Sequence, residues 1–118
     1  MNTVTIEVSS IAQSMERAAA AFRGDEQGCF ISFVSVELMW RVLTPRRWEI
    51  LRAMAGQGPL TIRALAKRVG RDIKVVHGDV TALTLAGVID KTKRGVAFPY
   101  DAIHVDFTVT PLEEKKAA

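Results

Sequence analysis

From Thr61 to Phe98 the apolar residues follow two short helical periods and then an extended one, and few folds accept that order in so little chain. Thr61 fits a helix N-cap, Ile62, Leu65 and Val69 share one face, and Leu60 is placed for a hydrophobic staple onto Leu65. Gly70 closes this block, because glycine accepts the left-handed conformation of a tight turn. Asp72 caps a second block whose inward residues are Ile73, Val76, Val80 and Leu83, and Gly87 ends it. Val88-Ile89-Asp90 and Val96-Ala97-Phe98 then read as two strands joined by Lys91-Thr92-Lys93-Arg94-Gly95, a hairpin with a basic tip.

The flanking segments add elements of both kinds. Val4, Ile6 and Val8 alternate with Thr5 and Glu7, as in a half-buried strand. Ser10 and Gln13 fit a capping box, and Ile11, Met15, Ala18, Ala19 and Phe22 follow at helical spacing as one apolar stripe. Gly24 to Gly28 is a polar break, and Cys29 to Val34 reads as a second strand. Ser35, with Glu37 in the first turn, starts a helix carrying Val36, Met39, Trp40 and Leu43. Thr44-Pro45 restarts it for Trp48, Leu51, Met54 and Ala55, and Gly56 to Pro59 ends it. Ile103, Val105, Phe107 and Val109 alternate with polar residues as a last strand, and the chain from Pro111 on reads as a tail. The expected fold class is α+β. Residues 1–34 form a strand–helix–strand extension and possible dimerisation element, 35–100 a winged helix-turn-helix, and 101–118 a C-terminal strand and tail.

The charge is unevenly placed. Net charge is +3, yet residues 41–100 hold twelve Lys and Arg against four Asp and Glu, while residues 1–40 hold two against five. A basic middle segment suits a polyanion such as double-stranded DNA, although a solvated surface also carries such clusters. In a winged helix-turn-helix the first helix braces the second, whose free face enters the major groove. Here that face carries Arg71, Lys74, Val75, His77, Gly78 and Thr81. Lys74 and His77 can donate to base edges, and Thr81 can meet a phosphate or a thymine methyl. Lys91, Lys93 and Arg94 on the wing would reach the minor groove or its phosphates. Arg46, Arg47, Arg63, Lys67 and Arg68 are candidate phosphate contacts. Gly78 is unusual inside a helix; it reads either as a site of close approach to DNA or as simple tolerance. Asp79 is expected to pair with a neighbouring arginine or to face solvent away from DNA.

Other chemistries find little support. His104 and Asp106 share a strand face near Asp101, but with two histidines in the chain a metal site is not expected. The single Cys29 reads as a buried thiol, and Trp40 and Trp48 as core. Gly56 to Gly58 lacks the lysine and hydroxyl of a phosphate loop. No catalytic motif or cofactor signature is present, so an enzyme is not expected. No run of about 20 apolar residues could span a membrane, and Met1 to Val8 does not read as a signal peptide, so a cytoplasmic protein is expected.

Leu65-Ala66, Val69-Gly70, Val76, Val80, Leu83 and Ala86-Gly87-Val88-Ile89 together resemble the winged helix-turn-helix regulators related to the MarR group. A narrower resemblance rests on Leu43-Thr44-Pro45-Arg46-Arg47-Trp48, Val76-His77-Gly78-Asp79-Val80 and the segment from Phe98 to Phe107. These residues look like a family of small prokaryotic predicted transcriptional regulators, often described as candidate antitoxins of toxin–antitoxin pairs. The resemblance implies a prokaryotic source, operator binding and a toxin partner. Two classes of function follow. One is a dimeric, sequence-specific DNA-binding regulator that represses its own operon as an antitoxin. The other is an interaction module that binds and neutralises a toxin or other protein, with DNA incidental. Two-fold symmetry doubles the DNA site, so a homodimer is expected, with the extension and the Ile103–Val109 strand as its contact elements.

Overall fold

A computed structural model of the chain describes residues 2–24 and 28–111. The part of the polar break at 25–27 and the tail from 112 on lie outside the described residues. The elements run β1 (Thr3–Val8), α1 (Ile11–Phe22), β2 (Cys29–Phe33), α2 (Val36–Val42), α3 (Pro45–Met54), α4 (Ile62–Val69), α5 (Ile73–Leu85), β3 (Asp90–Thr92), β4 (Gly95–Ala97) and β5 (Ala102–Asp106). The class is α+β, as the patterning predicts.

Helix starts follow local capping chemistry. Ser10, Ser35, Thr44, Thr61 and Asp72 each accept a backbone N–H of the first turn, and the Ser10–Gln13 box is reciprocal. Pro45 occupies the first turn of α3, where its missing N–H costs nothing.

The three-stranded sheet has the order β2-β1-β5 with both pairings parallel. The first strand therefore lies in the middle, and the first and last strands of the described chain share one layer. Asn2 ties them: its N–H donates to Asp101 Oδ2 at 2.9 Å, its side-chain amide to the Pro99 carbonyl at 2.7 Å, and its carbonyl accepts from Asp101 N at 2.7 Å. β5 ends at Asp106, short of the strand to Val109 that the alternation suggests. The expected dimerisation elements, the extension and this strand, thus pair with each other inside one chain.

One face of this sheet enters the core. Val4, Ile6 and Phe33 cluster with Met39 and Leu43 near α2, Ile50, Leu51 and Met54 of α3, Leu65 of α4, and Val76, Val80 and Leu83 of α5. Val88, Ile89, Val96 and Phe98 complete the cluster, so Val88 and Ile89 are core residues that precede β3. The register puts Thr3, Thr5, Glu7, Phe30, Ser32, His104 and Asp106 on the other face.

Several expectations are corrected. Cys29 is exposed, because it lies at the start of an edge strand, with its Sγ 3.9 Å from Asn2 Oδ1. Trp40 is 55% exposed and meets Phe107 edge to face, with ring centroids 5.8 Å apart. Trp48 is half-buried against the core. Ile73, expected inward, is 43% exposed at the first turn of α5, before the helix reaches its packed face. The stripe on α1 exists but is not covered: Ile11, Met15 and Phe22 are exposed, and no residue of this helix is buried. Among the described residues no helix is long and apolar enough to cross a membrane.

Candidate nucleic-acid interface

Three elements converge on one face. α4 ends at Gly70, whose left-handed backbone (φ 68°, ψ 37°) turns the chain, and Arg71 N donates to Ala66 O at 3.1 Å. Asp72 then caps α5 by accepting Lys74 N at 2.7 Å. Thus only Gly70, Arg71 and Asp72 separate the two helices. α5 buries Val76, Asp79, Val80 and Leu83 and exposes Lys74, Val75, His77, Gly78 and Thr81. The Thr81 hydroxyl donates to His77 O at 2.8 Å, which leaves its methyl and a lone pair for an outside partner.

The hairpin stands beside this helix. Thr92 pairs with Gly95, so Lys93 and Arg94 form a two-residue tip. Arg94 N donates to Thr92 Oγ1 at 3.2 Å and fixes the turn. The hairpin is anchored by Leu60, which exchanges both backbone hydrogen bonds with Val96 at 2.8 Å. Gly95 passes so close to Leu60 that a Cβ there would lie 2.6 Å from the Leu60 carbonyl carbon, and its φ is 131°. Lys91 belongs to a strand rather than the tip. It lines a groove of about 170 Å³ between hairpin and α5, together with His77, Thr81 and Leu85.

The arginines divide into two groups. Asp79 is 2% exposed. Arg46 grips it with Nε at 2.6 Å and Nη2 at 2.9 Å, and Arg47 Nε adds a third bond at 3.1 Å. Burial pushes the Asp79 carboxyl up, but the hydrogen bonds and charges of the two arginines outweigh it and hold the group below the usual aspartate range. The same hydrogen bond raises Arg46. Arg47 also donates to Val42 O at 3.0 Å. Arg71 is bound to Glu49 and to Arg46 O. Arg68 donates to Gln57 Oε1 at 3.0 Å. Arg46, Arg47 and Arg71 thus fasten α3 to α5 and to the turn before it, which departs from the free cations that the sequence suggests. The arginine partner expected for Asp79 is present twice over. Asp79 had a legible signal: it falls at helical spacing with Val76, Val80 and Leu83, so it had to be buried and needed a cation.

Among the described residues of the segment Arg41, Arg52, Arg63, Lys67, Arg68, Lys74, Lys91, Lys93 and Arg94 have no side-chain ion pair, and the last four stand on α5 and the hairpin. Meanwhile the acidic groups of the segment are engaged elsewhere: Asp79 in the clamp, Glu49 with Arg71, Asp72 as a cap. Asp90 starts β3, opposite the tip, near Tyr100, whose phenol is raised by burial and by the negative charges of Cys29 and Asp90. Gly78 sits in the open face, and a Cβ added there would meet nothing within 4 Å. Leu85, 84% exposed at the end of the same face, escaped the sequence reading. His104 and Asp106 stand beside Thr5 and Glu7 on the sheet, away from α5.

A protein-family model described as HVO_A0114 matches residues 42–105. This span covers α3, α4, α5, the hairpin and most of β5, and omits β1, α1 and β2. No curated protein sequence matches the chain.

Proposed function

The chain belongs to the HVO_A0114 family, and we propose on that premise that it is a sequence-specific regulator that binds double-stranded DNA through a winged helix-turn-helix. In this reading α5 enters the major groove and presents Lys74, Val75, His77 and Thr81 to base edges. The hairpin is the wing, with Lys93 and Arg94 on the phosphates or minor groove beside it. Arg63 and Lys67 position α4 against the backbone. Arg46, Arg47 and Arg71 hold the reading helix in place from behind. The observation that carries the reading is the placement of charge: Lys74, Lys91, Lys93 and Arg94 stand on α5 and the hairpin without an ion pair, while three of the segment's four acids are held elsewhere. Two copies would read a two-fold operator, the DNA upstream of its own gene in the antitoxin version.

Fluorescence anisotropy on that upstream duplex and a scrambled one, across a salt series, tests this. Tight binding that prefers the upstream DNA and weakens steeply with salt is expected, because each neutralised phosphate releases a counterion. Equal, salt-insensitive binding to both duplexes overturns it. The toxin-binding reading draws on different residues, the exposed Trp40 with the half-buried Phe107 against it, and predicts a stable complex that survives removal of Lys93 and Arg94.

A further inference from the structure

We infer that the outward stripe of α1 is the surface on which two copies of this chain pair, helix against helix in antiparallel orientation. This rests on the two-copy part of the reading above and not on its DNA part. The helix is turned with its polar side to the sheet. Ser14 Oγ lies 3.0 Å from Ser9 Oγ, Arg17 is paired with Glu7, and the Arg17 guanidinium lies 4.0 Å from the centre of the Phe30 ring. The sheet face beneath is polar but for Phe30, which the Arg17 guanidinium covers, so the helix gains little by turning its apolar side inward. Ile11, Met15 and Phe22 are left 67%, 67% and 94% exposed.

The stripe has the makings of a helix-pairing seam. Ile11, Met15, Ala18 and Phe22 are spaced four, three and four residues apart, the spacing of a two-helix seam. Its flanks are Ala12 and Ala19 on one side and Ser14 and Ala21 on the other, small enough for close approach. The charged side chains of the helix, Glu16 and Arg17, lie more than a quarter turn from every residue of the stripe. A second copy suits this chemistry best. A self-pairing face must not oppose like charges, and this one holds none. A basic or acidic partner would find nothing to pair with.

Orientation follows from side-chain size. In an antiparallel pair about the middle of the helix, Ile11 meets Phe22 of the partner subunit and Met15 meets the partner's Ala18, so the one small residue of the seam faces a long, flexible one. A parallel pair would stack Phe22 on its own copy and leave a gap at Ala18. Antiparallel packing also opposes the helix dipoles favourably. With about 200 Å² for a fully exposed large side chain, the stripe and its alanines offer roughly 600 Å² per copy, so two copies bury roughly 1,200 Å², the lower end for a specific interface.

Sedimentation of the full chain without DNA tests the inference. Wild type should form a reversible dimer, and Met15→Glu should weaken it by about tenfold or more, because a carboxylate is then forced into the seam. Ile11→Glu and Phe22→Lys should each dissociate it, and the two together in one chain should restore it. A wild-type monomer at high micromolar concentration, or an unaffected Met15→Glu dimer, overturns the face. Failure of the double variant to recover overturns the antiparallel register. Pairing only with a co-purified protein also overturns the proposal. Binding of the wild-type chain to the upstream duplex separates the outcomes: a chain that pairs through α1 but binds no DNA overturns the DNA reading alone, and one that binds DNA yet stays a monomer overturns this inference alone.

Discussion

Two amphipathic helices in this chain behave in opposite ways. α5 buries Val76, Val80 and Leu83 and exposes Lys74, His77 and Gly78, so its sequence pattern and its packing agree. α1 carries as clear a stripe yet buries none of it. The difference lies in what each helix finds beneath it. α5 lies on helices and a hairpin whose inner residues are apolar, whereas α1 lies on a sheet face of Thr5, Glu7 and Ser32, with Phe30 taken up by Arg17. An apolar stripe means that a face gains from cover; it does not say which surface supplies that cover. The family match has the same divide, since it includes α5 and leaves out α1.

The strongest way to break the comparison is to remove the clamp behind α5. Asp79→Asn should destabilise the chain by about 3 kcal/mol in urea unfolding, because two arginines lose a buried partner. The effect carries a pH signature. The folded Asp79 is held below its ordinary value of 3.8, so its contribution is full above that value and is lost as the pH falls from there through the depressed one. The stability difference between wild type and Asp79→Asn should therefore narrow in that acid window. An unchanged difference there would mean that the carboxylate charge is not what fastens α5.

Gly95→Ala attacks the hairpin instead. The new Cβ would collide with the Leu60 carbonyl at a backbone angle that alanine avoids. A loss of about 2 kcal/mol is expected, and hydrogen exchange at Val96 and Leu60, which bond each other, should quicken. Protection unchanged at both amides would show that the hairpin is anchored by other contacts.

The sequence made some of this legible and hid the rest for a physical reason. Caps are local: Ser10, Ser35, Thr44, Thr61 and Asp72 sit within three residues of the N–H groups they satisfy, so residue type alone finds them. The short turn at Gly70 and the change of period after Gly87 are local too. Exposure of Cys29 and Trp40 depends on which strand takes the sheet edge and where β5 ends, and no nearby residue records that. The parallel pairing of β1 with β5 joins residues 99 positions apart. The cation candidates were legible as a set, but their division into clamp and open face depended on where Asp79 turned.

Gly78→Ala sharpens the contrast from the other side. The face has room for a methyl group, so the free chain should gain roughly 0.5–1 kcal/mol from better helix propensity. If α5 lies against DNA, the same methyl group should weaken operator binding by about tenfold, or ~1.4 kcal/mol. Stability and binding would then move in opposite directions. A variant that gains stability and keeps full affinity would reduce Gly78 to a tolerated residue and move the closest DNA approach elsewhere on the helix.

The smallest expected effect lies on α1. Met15 is 67% exposed, and its side chain contributes little to the fold of one copy. At concentrations low enough to keep the chain monomeric, Met15→Glu should change unfolding by no more than about 0.5 kcal/mol. Leu83→Ala, at a fully buried position of α5, should cost about 3 kcal/mol under the same conditions. At higher concentration the comparison should invert in kind, because wild-type stability rises as copies pair while Met15→Glu stays flat. A large loss in the dilute Met15→Glu chain would mean that α1 folds its stripe onto its own sheet in solution. The two helices would then obey one rule, and the contrast between them would disappear.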